Sequence, residues 1–450
     1  MNHWFWETPS PRKPRNYSGV SNRSFKKVAV FFPSDIFQRC ILEKSFINRR
    51  NRNSMINQKM YELGSRRSVI RELFEYGKKR IAEVGADNVY DFSIGNPSVE
   101  APEAVKEAAV SLLENVKPST RLHGYTSAQG DPEARKAIAD DLNSRYGTSY
   151  TGNNLYLTCG AAASLTICLQ AVIDSHSQNV LVLAPYFTEY RVFIESRGAE
   201  CRVVPPALPS FGINFEELEK CLDASTAAII LNSPNNPSGV IYPEEELRKL
   251  AAVLERKSRE FGHPVYLISD EPYREIAYDG KKTPFTACFY PDTLVCYSYS
   301  KGLSLPGERI GYVLVPDTMP EWQRMYAAVC GAGRSLGFIC APTLWQHVIT
   351  SCAPLTSDLS IYARNRELLF GGLTEIGYTC VHPDGAFYLF AKALEEDASS
   401  FCERAKKYDL LLVPSDDFGC PGYVRIAYCV SGDMITRSMP AFKKLFESYK

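Results

Sequence analysis

One lysine stands among hydroxyls and glycines in YSYSKGLSLPGERIGY (297–312), with Arg309 eight positions beyond Lys301. An amine of this kind attacks carbonyls when burial or a nearby cation depresses its pKa. The hydroxyls of Ser298 and Ser300 and the guanidinium of Arg309 suit a phosphate close to that amine. Further polar groups cluster in four other short segments: CGAAAS (159–164), APYFTEY (184–190), NSPNNPSG (232–239) and DEPY (270–273).

Each of these five segments directly follows a short apolar run rich in β-branched residues. The runs are NLYLTC (154–159), NVLVLA (179–184), AAIILN (227–232), PVYLIS (264–269) and TLVCYS (293–298). Amphipathic stretches such as EEELRKLAAVLERKSREFG (244–262) separate them, a pattern that predicts a parallel sheet covered on both faces. Ligands of open α/β sheets bind beyond the carboxyl ends of the strands, so the five loops are expected to converge on one site. Upstream, SVIRELFEYGKKRIAEVG predicts a helix within 64–86 with Val69, Ile70, Leu73, Phe74 and Ile81 on one face. The last third alternates differently, with a helix over 364–377, HPDGAFYLFAKA, a helix near ASSFCERAKKYD and the strand-like GYVRIAYC (422–429), and reads as an α+β unit.

The 450 residues carry no net formal charge, yet residues 1–54 hold eleven Lys or Arg against three acids. That excess of eight leaves a net acidic remainder, which argues against a nucleic-acid-binding body. Residues 1–54 show no sustained period and read as a basic, disordered extension. The fourteen cysteines are scattered without C-x-x-C or paired Cys/His spacing, so no metal is expected and free thiols in a reducing compartment are. No apolar run approaches the ~18 residues of a spanning helix, and a soluble cytoplasmic protein is expected.

A molecule carrying an aldehyde and a phosphate would engage Lys301 and its neighbours together, and pyridoxal 5'-phosphate carries both. The string S-x-S-K-x-x-x-x-x-G-x-R-x-G, here Ser298, Ser300, Lys301, Gly307, Arg309 and Gly311, resembles the lysine signature of the class I aminotransferases, the aspartate aminotransferase-like fold type I group. The resemblance spans about residues 60–450, in the family's motif order. It implies a mostly parallel seven-stranded sheet in a large domain, with a smaller α+β domain. Lys301 would hold the cofactor's aldehyde and act as the catalytic base, with Ser298 and Arg309 on the phosphate. Asp270 would pair with the pyridine nitrogen, Tyr273 and Asn236 with the ring oxygen, and Phe187 would stack on the ring. Gly160, Ala161 and Ala162 would offer amides to the phosphate at a helix start. Tyr125 would reach the phosphate of a neighbouring subunit, which implies a homodimer. Gly95, Asn236 and Arg425 would bind the substrate's α-carboxylate, Arg425 as a bidentate fork.

The expected division is an extension over 1–54, the first part of a small domain over 55–105, a large cofactor-binding domain over 106–345 and the rest of the small domain over 346–450. The expected reaction moves an amino group between an L-amino acid and a 2-oxo acid. Arg334, in GAGRSLGFICAP, is the one basic residue of a loop that relatives place near the substrate side chain, and it suggests aspartate and 2-oxoglutarate. Two alternatives share these motifs: a C–S lyase of the same fold, and a regulatory protein that joins an aminotransferase-like domain to a DNA-binding one.

Overall fold

The computed structural model describes residues 56–65 and 69–450. The extension expected over 1–54 lies outside the described residues. By its contacts the chain divides into a unit up to Arg66 and a unit from Arg67 to Lys450. In the first, helix Gln58–Ser65 has no buried residue.

The described residues of the second unit carry thirteen strands. After β1 (Tyr90–Asp91) come β2 (Leu155–Thr158), β3 (Asn179–Leu183), β4 (Glu200–Val204), β5 (Thr226–Asn232), β6 (Tyr266–Asp270), β7 (Thr293–Ser298) and β8 (Gly311–Leu314). These seven form one sheet in the order β2-β8-β7-β6-β5-β3-β4. Only β8 runs against the rest, pairing antiparallel with both β2 and β7. The five predicted strands are all present, and the sheet is the mostly parallel α/β sheet expected. The sequence reading missed β4 and β8 as strands, because ECRVV is half polar and GYVL is only four residues long.

Alternation along the strands assigns the two faces. Val180, Val182, Ala228, Ile230 and Ile268 pack with Leu165, Ile167 and Leu169 of helix Ala161–Val172 on one side. Leu181, Leu183, Ile229, Leu231 and Leu267 pack with Leu247, Leu250 and Leu254 of helix Glu244–Phe261 on the other. Every residue of β5 is buried, as a central strand covered on both faces requires. Each fully buried leucine or isoleucine here contributes about 1.5–3 kcal/mol of transfer free energy.

The remaining strands are β9 (Cys380–Val381), β10 (Tyr388–Lys392), β11 (Leu410–Leu411), β12 (Val413–Pro414) and β13 (Tyr423–Ala427). Four form an antiparallel sheet in the order β12-β13-β10-β9, and β1 pairs in parallel with β11. Helices Ser360–Ile376 and Gly432–Glu447 pack with this sheet through Tyr362, Leu369, Leu373, Ile435 and Phe442.

The upstream helix differs from its prediction. It spans Val69–Val84, and its buried residues are Leu73 and Gly77. Phe74 and Ile81, placed on the buried face by spacing, are each 38% exposed. A glycine is buried instead because a Cβ there would come within 2.9 Å of Leu411 Cδ1, so the helix backbone itself approaches β11.

Candidate active site

A cavity of about 290 Å³ opens at the carboxyl ends of the large sheet's parallel strands. Its lining includes Gly95, Ala161, Ala162, Phe187, Asn236, Asp270, Tyr273, Ser298, Ser300, Lys301, Arg309 and Arg425. Strand register explains why residues so distant in sequence meet. Asn232 pairs with Asp270 across β5 and β6, Asp270 with Cys296 across β6 and β7, and Ser298 with Gly311 across β7 and β8. Because β8 runs antiparallel, Arg309, which precedes it, reaches the same edge as the residues that follow β2, β5, β6 and β7.

Lys301 sits in the helical turn Tyr299–Gly302 directly after β7. Its Nζ donates to the carbonyl oxygen of Gly95 at 2.6 Å and lies 5.3 Å from the centre of the Phe387 ring. Burial, opposed by Cys429 and aided by the cations Arg425 and Arg309, lowers its pKa to about 8. About one molecule in ten then carries the uncharged, nucleophilic amine at pH 7, against roughly one in three thousand for an ordinary lysine.

Asp270 ends β6 with its side chain buried. Its Oδ2 accepts from the Tyr190 hydroxyl at 2.5 Å, while its Oδ1 is buried with no hydrogen-bond partner among the described residues. Burial raises this carboxyl to about 7; the Tyr190 hydrogen bond pulls down and Glu271 pushes up. An unmatched acceptor of this kind costs stability unless a donor, best a cationic N–H, is supplied.

Arg425 on β13 is buried and donates from Nη2 to the Ser93 carbonyl at 2.6 Å and from Nη1 to Asn236 Oδ1 at 3.2 Å. Its Nε is buried without a partner. The rings of Tyr388 and Phe418 lie 4.8 and 5.3 Å from its guanidinium carbon. Asn236 is fixed by Asn232, whose Oδ1 accepts from the Asn236 amide at 2.7 Å and whose Nδ2 donates to the Asp270 carbonyl at 2.8 Å.

At the other end of the cavity, helix Ala161–Val172 starts at Gly160 with no side chain capping its first amides. Gly160 takes φ 87, and a Cβ there would lie 2.7 Å from Arg309 Nη2. Arg309 is itself left-handed at φ 54 and donates to the carbonyls of Pro306 and Cys159 at 2.9 and 3.1 Å. Free amides at a helix start beside a guanidinium make a receptor for a phosphate.

A profile of the family described as aminotransferase class I and II matches residues 87–441. The chain belongs to that family. Its members are pyridoxal phosphate-dependent transaminases, and this chain is such an enzyme. It is 30% identical to the aspartate/prephenate aminotransferase of Thermus thermophilus over 359 residues, 78% of this chain and 89% of the relative. An aminotransferase structure from Eubacterium rectale is 56% identical with a TM-score of 0.87, covering 88% of this chain and all of the other. The Thermus thermophilus aspartate aminotransferase structure with maleate is 26% identical with a TM-score of 0.74, covering 84% and 97%.

The residues present fit the family's cofactor. The unpartnered Asp270 oxygen matches a protonated ring nitrogen, the depressed Lys301 amine matches an aldehyde, and the uncapped helix start beside Arg309 matches a phosphate. The aminotransferase signature also includes residues that this chain does not bring into the cavity. Gly160 borders it through Arg309 without lining it, and Tyr125, 88% exposed, is not among the lining residues. Arg334 is exposed in the last turn of helix Trp322–Ser335, not in a loop as expected, and is not among the lining residues.

Several cavity residues escaped the sequence reading. Tyr388 lines the cavity and touches three of the predicted residues; Tyr190 orients Asp270; Asn232 orients Asn236; Ile70, Ile94 and Pro272 form part of the wall. Tyr190 and Asn232 stand within quoted motifs, where their position at a strand or helix end was the available signal. Tyr388 lies inside GAFYLF, which reads as an ordinary buried strand.

Among the described residues, no helix is long and apolar enough to cross a membrane, and no cluster of His, Cys, Asp and Glu suits a metal.

Proposed function

We propose that this aminotransferase moves the amino group between an L-amino acid and a 2-oxo acid, with aspartate and 2-oxoglutarate as the pair, and that Lys301 is its catalytic base. The observation that carries the reading is the meeting, in one cavity, of a depressed lysine, an unsatisfied buried carboxylate and a buried arginine fork. Aspartate as donor is supported by similarity to the Thermus thermophilus aspartate/prephenate aminotransferase and the Thermotoga maritima aspartate aminotransferase; 2-oxoglutarate is proposed as its dicarboxylate counterpart.

Bound here, pyridoxal phosphate supplies an aldehyde that captures the amine and a pyridinium ring that withdraws electrons from the substrate Cα. Asp270 would hold the proton on the ring nitrogen, Tyr273 and Asn236 would meet the ring oxygen, and Phe187 would stack on the ring. Ser298, Arg309 and the amides of Gly160, Ala161 and Ala162 would hold the phosphate. Arg425 and Asn236 grip the α-carboxylate against the Gly95 backbone, which fixes the direction of the Cα–H bond. The Nζ of Lys301 takes the Cα proton in one half of the cycle and delivers a proton to Cα in the other.

A second copy of the chain belongs to this reading. Tyr125, 88% exposed on its own chain, is free to serve a neighbouring site, as the homodimer expectation requires. The division into extension, small domain and large domain at about residues 54, 105 and 345 is proposed on the same footing.

The test is spectral. Purified protein mixed with pyridoxal phosphate gives the yellow band of a lysine-bound cofactor, and aspartate converts it to the colourless amine form with stoichiometric oxaloacetate. Release of ammonia and pyruvate from a sulfur amino acid, with no colourless form left behind, would instead favour the lyase. Absence of the yellow band would sink the whole assignment.

A further inference from the structure

We infer that Tyr388 is a positioning residue that orients the Tyr273 hydroxyl toward the cofactor's ring oxygen and holds the Gly95 backbone against Lys301. The inference rests on the proposed function and adds a residue to it. Three contacts carry it. The Tyr388 and Tyr273 hydroxyls are 2.9 Å apart and both side chains are buried. A Cβ on Gly95 would lie 2.0 Å from Tyr388 Oη, so the Gly95 backbone rests directly on that hydroxyl. The Tyr388 ring stands 4.8 Å from the Arg425 guanidinium.

Two hydroxyls that share one hydrogen bond must choose a donor. If Tyr273 donated to Tyr388, its proton would be unavailable to a ring oxygen in the cavity. Tyr388 as donor leaves the Tyr273 proton free to point there, and accepting a hydrogen bond makes Tyr273 the stronger donor in turn. The electrostatics favour this direction. Tyr388 sits against the Arg425 cation, which eases the loss of its proton density, and burial raises its pKa only to about 12. Tyr273 is held well above the ordinary tyrosine value by burial and by Tyr388 itself. The Gly95 carbonyl, in turn, is the acceptor that receives Lys301 Nζ at 2.6 Å, so one side chain sets both the group facing the ring oxygen and the acceptor that holds the amine.

The experiment compares Tyr388→Phe, Tyr273→Phe and the double variant, each reconstituted with pyridoxal phosphate, by the pH midpoint of the yellow band. Phenylalanine keeps the ring beside Arg425 and removes only the hydroxyl that meets Tyr273 and Gly95. A weaker donor to the ring oxygen stabilises the high-pH form less, so the midpoint of Tyr388→Phe rises, by roughly half to one pH unit for one neutral hydrogen bond. In the Tyr273→Phe background the same change adds no further shift. An unchanged midpoint in the single variant overturns the inference, and so does an equal shift in both backgrounds, which would mean that Tyr388 acts without Tyr273. Either result leaves the proposed function standing, whereas a wild-type protein with no yellow band removes both. Should Tyr388→Phe not accumulate in soluble form, Tyr388→Leu, which likewise offers Tyr273 no donor, supports the inference by raising the midpoint and overturns it by leaving the midpoint unchanged.

Discussion

The ammonium of Lys301 is held by the carbonyl oxygen of Gly95 at 2.6 Å, a contact between residues 206 positions apart in the chain. The contact satisfies the lysine while it is charged and must be released when the amine acts. Because burial lowers the Lys301 pKa from its ordinary 10.5 to about 8, the charged form is disfavoured in the fold. The penalty is complete below pH 8 and relieved as pH rises from about 8 toward 10.5, the sign expected for a depressed base.

The first prediction concerns that amine. The rate at which cofactor-free protein acquires the yellow band should climb with pH through a midpoint near 8. Lys301→Ala should bind the phosphate without developing the band. A midpoint at the ordinary lysine value would mean that the amine is solvated.

Asp270 gives a prediction of opposite sign in the cofactor-free protein. Its carboxyl is raised from 3.8 to about 7, so the native state binds the proton more tightly than the unfolded one. Stability is therefore greatest at the acid side and falls as pH rises from about 4 to 7, by up to ~4 kcal/mol at 1.36 kcal/mol per pH unit. Urea unfolding at several pH values should show this slope, and Asp270→Asn should flatten it while lowering kcat by at least a hundredfold. Saturation with cofactor should remove the slope in the wild-type protein, because a ring N–H satisfies the free oxygen.

Arg425→Lys should raise KM for the amino acid about thirtyfold. Replacing a two-pronged guanidinium by a single ammonium loses one charge-assisted hydrogen bond, worth about 2 kcal/mol. Initial-rate kinetics with aspartate checks this, and cofactor affinity should be unaffected because Arg425 lies in β13, away from the helix start at Gly160.

Gly160→Ala should weaken cofactor binding at least tenfold. Its φ of 87 is unfavourable for alanine, and the new methyl would meet Arg309 Nη2 at 2.7 Å, displacing the guanidinium. Equilibrium titration with pyridoxal phosphate measures the loss, and unchanged affinity would remove the helix start from the proposed phosphate site.

The site was largely legible from sequence because its residues follow strands, where a chemical oddity stands out against an apolar run. Asp270 after YLIS and Lys301 after TLVCYS are instances. Tyr388 was not legible, since a tyrosine in a buried strand looks the same whether its hydroxyl faces a cavity or a backbone carbonyl. The helix face carrying Phe74 and Ile81 misled, because spacing identifies an apolar stripe but not which part of it a neighbour covers.

The antiparallel course of β8 has a consequence for how this protein can change. A Cβ on Gly311 would come within 2.3 Å of the Tyr297 carbonyl and 3.0 Å of Gly160 Cα, so three backbone segments meet there with no side chain between them. That end of the pocket tolerates almost no substitution. Elsewhere the pocket is walled by side chains such as Ile70, Ile94 and Pro272. The chain is thus built with a frozen anchorage and an editable wall, and directed evolution toward new amino acids should accumulate its successful changes among those wall side chains rather than around Gly311.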